Sequence, residues 1–367
     1  MERKNRSSNF ELMRIFAMLL IVAYHYVLFT RFMFVGSTIT VNRLFYQSML
    51  LDGKTGVNLF VMLSGYFMIQ SHGVKTQKVL QLWGQTMFYI LAIWFLFHKQ
   101  INGFGTMPQD TLLGKVLFLS TGVQWFIATY LVMYLLSPFL NKMLLSLSRT
   151  MYRRMLVLTG IFWCLIPTLS WIPGMIPTDF QGSDLMFFLF LYSVGAYLRL
   201  YHEEGKKKAS FWFLCALGIF LLCMVLVAAV DIWIINSVGR LNILDYLFDY
   251  QNHVLIMLLS LFLFLGFKNL KVKNNRVINF VSSLTFGIYL IHDNWQIRSY
   301  LWNNIVKGTR YMDMVWFIPM SYVLILAVFI ACGIIEWMRQ HTIEKLWMKV
   351  VDWASPRIND TIDKWLS

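Results

Sequence analysis

The chain reads as a succession of apolar runs, each about twenty residues long, broken by short stretches in which charge collects. A run of that length matches the hydrocarbon thickness of a bilayer. The pattern predicts an all-α polytopic integral membrane protein. About ten transmembrane helices are expected, near 10–30, 44–70, 79–98, 123–141, 154–172, 184–201, 211–234, 253–268, 280–302 and 314–338. The second run departs from the rest. Its apolar core, Val57–Ile69, is only 13 residues long, Gly53 and Gly56 precede it, and Gly65 lies within it. One reading is a broken or tilted helix that lines a cavity, where free backbone groups find partners. The other is a longer helix starting near Leu44, with Asp52 and Lys54 buried or snorkelling.

Charge orients the segments. With the N-terminus in the cytoplasm, the inner connections hold 22 Lys and Arg and the outer ones nine, with Arg14 inside the first run. That bias predicts both termini in the cytoplasm. It also accounts for the net charge of +14 without nucleic acid, because topogenic basic clusters sit beside anionic lipid heads. The first run lacks a small-residue cleavage site and is expected to be a retained helix. Residues 1–338 form the expected membrane domain. Residues 339–367 form a cytoplasmic tail whose Trp347, Trp353 and Trp365, spaced among charges, suggest an interfacial amphipathic helix.

Composition adds little that the runs do not show: 58% of residues are hydrophobic and 14% charged. Cys164, Cys215, Cys223 and Cys332 all sit in apolar runs and read as small buried hydrophobes. No His, Cys, Asp and Glu combination has zinc spacing, so no metal is expected.

Polar residues inside apolar runs are costly and mark candidate sites. The first run holds Arg14 and His25. Eleven positions at about 100° each place both on one helix face, about 16 Å apart along the axis. A neutral imidazole can take a proton from a hydroxyl and return it; alternatively, His25 packs against a neighbouring helix. Arg14 needs an anion, either a ligand phosphate or the carboxylate of Glu11 at the i, i+3 spacing. His292, Asp293 and Asn294, with Arg298 beyond, suggest the wall of a pocket or pathway, or else interhelical hydrogen bonds. Gln124 and Trp125 pair an amide with an aromatic ring, a combination suited to sugar, although interfacial tryptophan is common in its own right. Ser64 is either a hydroxyl nucleophile or, with Gly65, a small-residue packing site.

Together these residues resemble the membrane-bound acyltransferase 3 family, which O-acylates cell-surface glycans, over nearly the whole chain. The spacing from Arg14 to His25 is similar to the family's first-helix pattern. Gly56-Val-Asn-Leu-Phe-Val-Met-Leu-Ser-Gly-Tyr66 resembles its second-helix block, with Asn58 where Asp is frequent. Trp125-Phe126 with Tyr134-Leu-Leu-Ser-Pro-Phe-Leu-Asn141 resembles its fourth helix, and Phe286-Gly-Ile-Tyr-Leu-Ile-His292 its late helix. Asp293, Asn294 and Arg298 look like the branch found in bacterial polysaccharide acetyltransferases. Family members often carry an Arg-x-x-Arg pair at the start of the third helix. Here Lys75 and Lys78 keep the charge and spacing without the bidentate geometry of Arg.

The resemblance implies a multi-pass enzyme of the bacterial plasma membrane. It would use acetyl-CoA or another acyl-CoA as donor substrate, with no permanently bound cofactor. The acceptor would be a hydroxyl of a cell-surface or lipid-linked glycan. His25 would be catalytic. Arg14 would be catalytic or donor-binding, Lys75 and Lys78 would bind the donor, and His292, Asp293, Asn294, Trp125 and Gln124 would bind the acceptor. Partners would be the two substrates and membrane lipids, with a homo-oligomer left open. Some members add an extracellular esterase-like domain; this sequence shows none, so the transfer would be completed here or by a separate partner. The rival reading is a transporter or flippase of glycan precursors, in which the buried Arg and His bind cargo or relay protons.

Overall fold

The structure, a computed structural model, describes residues 7–36, 38–71, 73–101, 125–169, 184–202, 205, 207–241 and 251–366. Among these the chain is helical throughout. The helices are α1 (Ser8–Phe29), α2 (Val41–Met68), α3 (Thr76–Ile101), α4 (Trp125–Ser146), α5 (Arg149–Gly160), α6 (Asp184–Tyr201), α7 (Ala209–Val238), α8 (Val254–Asn269), α9 (Arg276–Ser283), α10 (Thr285–His292), α11 (Phe317–His341) and α12 (Ile343–Leu366). Each predicted segment overlaps helix among the described residues. Six of the described helices, α1, α3, α4, α6, α7 and α11, are long and apolar enough to cross a membrane. The protein is a polytopic membrane protein.

The second predicted segment takes the longer-helix form, and the fifth and ninth depart from a single α-helix. The second is one continuous helix of 28 residues. Gly56 does not break it: a side chain there would run into the backbone carbonyl of Ala17, so glycine lets α1 and α2 touch. Asp52 and Lys54 lie half-buried within it. The fifth segment continues from α5 through a π turn, Ile161–Leu165, into Ile166–Leu169, with Pro167 near its end. The ninth segment is not a single helix. It divides at Leu284, stops at His292, and resumes after a turn as Arg298–Tyr300 and the π turn Leu301–Val306.

Helix α1 is the hub. It packs against α2, α8, α9, α10 and α11, so its apolar residues face neighbours on several sides, and Met13, Val22 and Tyr26 are buried. It belongs to both main apolar clusters. One cluster joins it to α3, α10 and α11; the other joins it to α4, α6 and α8. Helix α2 crosses α6 at two facing glycines. A side chain on Gly65 would meet the Tyr192 backbone, and one on Gly195 the Met62 backbone. The packing role expected of this Ser-Gly pair falls to Gly65.

Hydrogen bonds fasten the connections at two ends. At one, Asn9 Nδ2 donates to the Phe267 and Lys268 carbonyls (3.0 and 3.2 Å), and Asn141 Nδ2 donates to the Met68 carbonyl (2.7 Å). Lys268 Nζ donates to the His202 carbonyl (2.8 Å) at that same end. At the other, Arg43 donates to both carboxylate oxygens of Asp231 (2.8 and 2.9 Å) and to the Phe34 carbonyl (2.6 Å). Arg43, counted from sequence as a loop charge, is 3% exposed. Arg339, counted with the tail, is likewise buried and ion-paired with Glu336 (2.8 Å). The unpaired-charge cost of such residues in an apolar setting explains why each has a carboxylate. Helix α12 lies along α3, with the Trp347 indole donating to the Leu80 carbonyl at 3.2 Å.

Candidate functional site

The central feature is a chain of hydrogen bonds between α1 and α10. His292 Nδ1 lies 2.6 Å from the Ile288 carbonyl oxygen one turn earlier in its own helix. His292 Nε2 lies 2.9 Å from His25 Nδ1. A carbonyl can only accept, so His292 Nδ1 carries the hydrogen. With both rings neutral, His292 Nε2 is then an acceptor, and His25 Nδ1 must donate to it. The proton inventory leaves His25 Nε2 with a bare lone pair. A backbone carbonyl thus fixes the tautomer of a residue on another helix. The geometry needs helix at both ends: Ile288 and His292 stand four apart on α10, and Gly287 lets α11 approach so closely that the Glu336 side chain lies against it.

His25 Nε2 lies 3.8 Å from Asp293 Oδ1, and that oxygen accepts from Arg298 Nη1 at 3.3 Å. A proton gained at Nε2 would therefore meet a carboxylate. Arg298 in turn sits over the Phe29 ring at 4.4 Å. The helix break after His292 is what lets Asp293 and Arg298 turn back towards α1. Asn294 stabilises this turn: its side-chain oxygen accepts from the Gln296 backbone N–H at 3.0 Å.

Two cavities run alongside α1. The first, about 420 Å3, is lined by His25, Asp293, Arg298, Lys54, Trp125 and Asp184, among others. The second, about 670 Å3, is lined by Arg14, Glu11, Ser64, Gln81, Gln85 and Arg339, among others. Both volumes suit small-molecule ligands, for which ~300–1,000 Å3 is usual. Arg14 Nη1 donates to Glu11 Oε1 at 2.7 Å, and Glu11 Oε2 accepts from Ser282 Oγ on α9 at 2.5 Å. One carboxylate oxygen thus holds the arginine, and the other ties α1 to α9. The Arg14 side chain remains one-third exposed and lines the cavity, and only one of its five N–H donors is taken up by Glu11. Across the same cavity, Glu336 accepts from Gln85 (3.0 Å), Tyr89 (2.6 Å) and Arg339, and Arg339 also pairs with Glu344 of α12.

The sequence-nominated residues therefore divide. His25, Asp293 and Trp125 share the smaller cavity with Arg298, whereas Arg14 lines the larger one. His292 and Asn294 line neither; both are buried behind the site, where His292 holds His25 and Asn294 holds the turn. Lys75 and Lys78 are exposed at the start of α3 and line neither cavity. Gln124 lies outside the described residues. Among the described residues, no group of three His, Cys, Asp or Glu side chains could hold a metal ion.

The pattern could have revealed Gln81 and Gln85. Two amides four apart on an otherwise apolar helix share one face, and that face borders the larger cavity. Lys54, Asp184 and Arg339 carried no such signal, because each gains its place only through tertiary packing.

A family model described as an acyltransferase domain matches residues 7–337. Comparison with curated proteins and with solved structures found no match. The matched span takes in the His25–His292 pair, the whole lining of the smaller cavity and all of the larger one's except Arg339, Gln340 and Glu344. The chain belongs to the acyltransferase 3 family, and it is a membrane acyltransferase.

Proposed function

We propose that this protein moves an acyl group, most simply acetyl, from acyl-CoA to a hydroxyl of a cell-surface or lipid-linked glycan. The single observation that supports this most is the bare Nε2 of His25, presented to a cavity by a fixed partner and backed by a carboxylate. That is what a general base for a sugar hydroxyl requires. The same lone pair could take the acyl group in a two-step relay. In either route the thioester C–S bond breaks, an ester C–O bond forms, and the hydroxyl proton ends on the CoA thiol. Asp293 would stabilise the imidazolium formed on the way.

The larger cavity suits the donor. Its Arg14 fork can meet a phosphate, and it opens towards the end of the molecule where the basic connections gather. By the positive-inside bias that end faces the cytoplasm, where acyl-CoA is made. The smaller cavity suits the acceptor: Trp125 offers a ring face, and Asp184, Gln251 and Asn252 offer polar edges for sugar hydroxyls. Lys75 and Lys78 would act only at the entrance, as a field for an anionic donor. A transporter reading finds less support, because two cavities of unlike chemistry fit two substrates better than one cargo.

The test is donor consumption by the purified protein in lipid nanodiscs. Acetyl-CoA should release free CoA thiol faster when a glycan acceptor is added, and the acceptor should gain an acetyl ester. Glycan crossing a sealed vesicle with no loss of acetyl-CoA would establish the transporter instead.

A further inference from the structure

The two cavities share three lining residues, all phenylalanines: Phe60 of α2, Phe126 of α4 and Phe286 of α10. Their place in the chain is consistent on every helix. Along α2, Lys54 and Val57 line the His25 cavity, Phe60 both, and Ser64 the Arg14 cavity. Along α4 the order is Trp125, Phe126, then Ile127 and Tyr130. Along α9 and α10 it is Ser282 to Thr285 on the Arg14 side, Phe286 on both, then Tyr289 and Asp293 on the His25 side. Three helices thus change cavity at a phenylalanine, which sets the three rings at one level.

All three phenylalanines pack against the apolar cluster around α1, α3, α10 and α11. Phe126 lies 5.5 Å from the Tyr289 ring, 5.7 Å from Phe188 and 6.0 Å from Tyr130, onto which it stacks. The Phe60 carbonyl accepts from Ser64 Oγ at 3.0 Å, and the same hydroxyl lies 3.4 Å from Tyr130 Oη. Each phenylalanine is half-buried and lines both cavities.

We propose that Phe60, Phe126 and Phe286 form an aromatic collar that selects the acyl group by its cross-section. This rests on the donor reading above. A donor seated at Arg14 and reacting at His25 must pass its arm through the level of the three rings. The acyl group leads, because it is the end of that arm. A two-carbon group is no wider than the arm that follows it. A branched group is wider, and the rings must move aside at a cost in packing. The collar therefore sets width, and the 420 Å3 beyond it sets how much chain can be accommodated.

Two measurements test this. The first needs no activity. Val57→Cys, in a background whose four native cysteines are replaced, puts a thiol on the His25 side. In inverted membrane vesicles a bulky charged thiol reagent reaches it from the Arg14 side only through the collar. Labelling should be slow with the collar intact and rise about tenfold or more when Phe60, Phe126 or Phe286 is changed to Ala. Equal labelling rates in all backgrounds would overturn the collar. The second measurement compares isobutyryl-CoA with acetyl-CoA as donor. The ratio of their kcat/KM values should rise about tenfold or more in the alanine variants, the discrimination that one or two carbons command in an apolar passage. The Phe→Leu variants, which keep the packing, should fall between. An unchanged ratio in variants that still use acetyl-CoA would overturn the selection. If the unaltered protein consumes neither donor, the acyl-CoA reading fails, while the labelling result still decides the collar.

Discussion

Replacing His292 with Ala tests how the site makes its base. The change leaves the His25 ring, Asp293 and both cavities in place but removes the acceptor 2.9 Å from His25 Nδ1. In the tautomer with Nε2 bare, the Nδ1–H then points into a buried space with no partner, which costs about 1–3 kcal/mol. The stranded Ile288 carbonyl is common to both tautomers of the variant and cancels. The working fraction of His25 should therefore fall about 5- to 150-fold, at or under the lower end of the ~10²–10⁴ that a general base commonly contributes. The assay is release of CoA thiol with acceptor in excess, read as kcat and KM across pH. A loss in kcat is expected, with the KM for acyl-CoA unchanged within about twofold, because Arg14 is untouched. His292→Gln, whose amide oxygen can stand near the lost Nε2, should recover most of the rate. An alanine variant as fast as the unaltered protein, or one altered in KM alone, would refute the tautomer argument. So would a glutamine variant as slow as alanine.

Arg14→Ala should raise the KM for acyl-CoA about tenfold or more with a smaller change in kcat, a loss of one charge-assisted contact; calorimetric titration with free CoA checks it independently. Asp231→Ala removes the carboxylate that accepts two hydrogen bonds from buried Arg43 and should destabilise the protein by about 3–5 kcal/mol, seen as a lower melting temperature in detergent. Gly65→Ala should force α2 from α6 at the Tyr192 backbone and cost about 1–3 kcal/mol, whereas Gly73→Ala, which meets open space, should change the melting temperature little.

Much of the fold was legible because apolar length is a direct physical signal. A run of twenty apolar residues has few alternatives to a spanning helix. The second helix was ambiguous for a definite reason: Asp52, Gly53, Lys54 and Gly56 look like a break when read one after another. In three dimensions the glycines are contact points with α1, and Lys54 faces a cavity. The ninth segment misled in the opposite direction. Asp293, Asn294, Gln296 and Arg298 read as polar positions within one spanning segment, but the chain turns there, and that turn delivers Asp293 and Arg298 to His25.

The site was half legible. Periodicity correctly put Arg14 and His25 on one side of α1, yet it could not show that a level of aromatic rings divides them between two cavities. Nor could it reveal that His292 serves His25 from behind. That role depends on a carbonyl, and backbone acceptors leave no mark in sequence. Lys75 and Lys78 matched a family spacing but lie exposed, whereas Gln81 and Gln85, one and two turns further along α3, reach the cavity.

The most direct measurement is the mass spectrum of the cell-surface glycan from cells carrying the unaltered protein or His25→Ala, at matched membrane abundance. Ester-linked acyl groups should be present in the first and absent in the second, with glycan chain length the same in both. Full acylation in the His25→Ala cells would contradict catalysis at His25, and a change in chain length without loss of ester would contradict acyl transfer altogether.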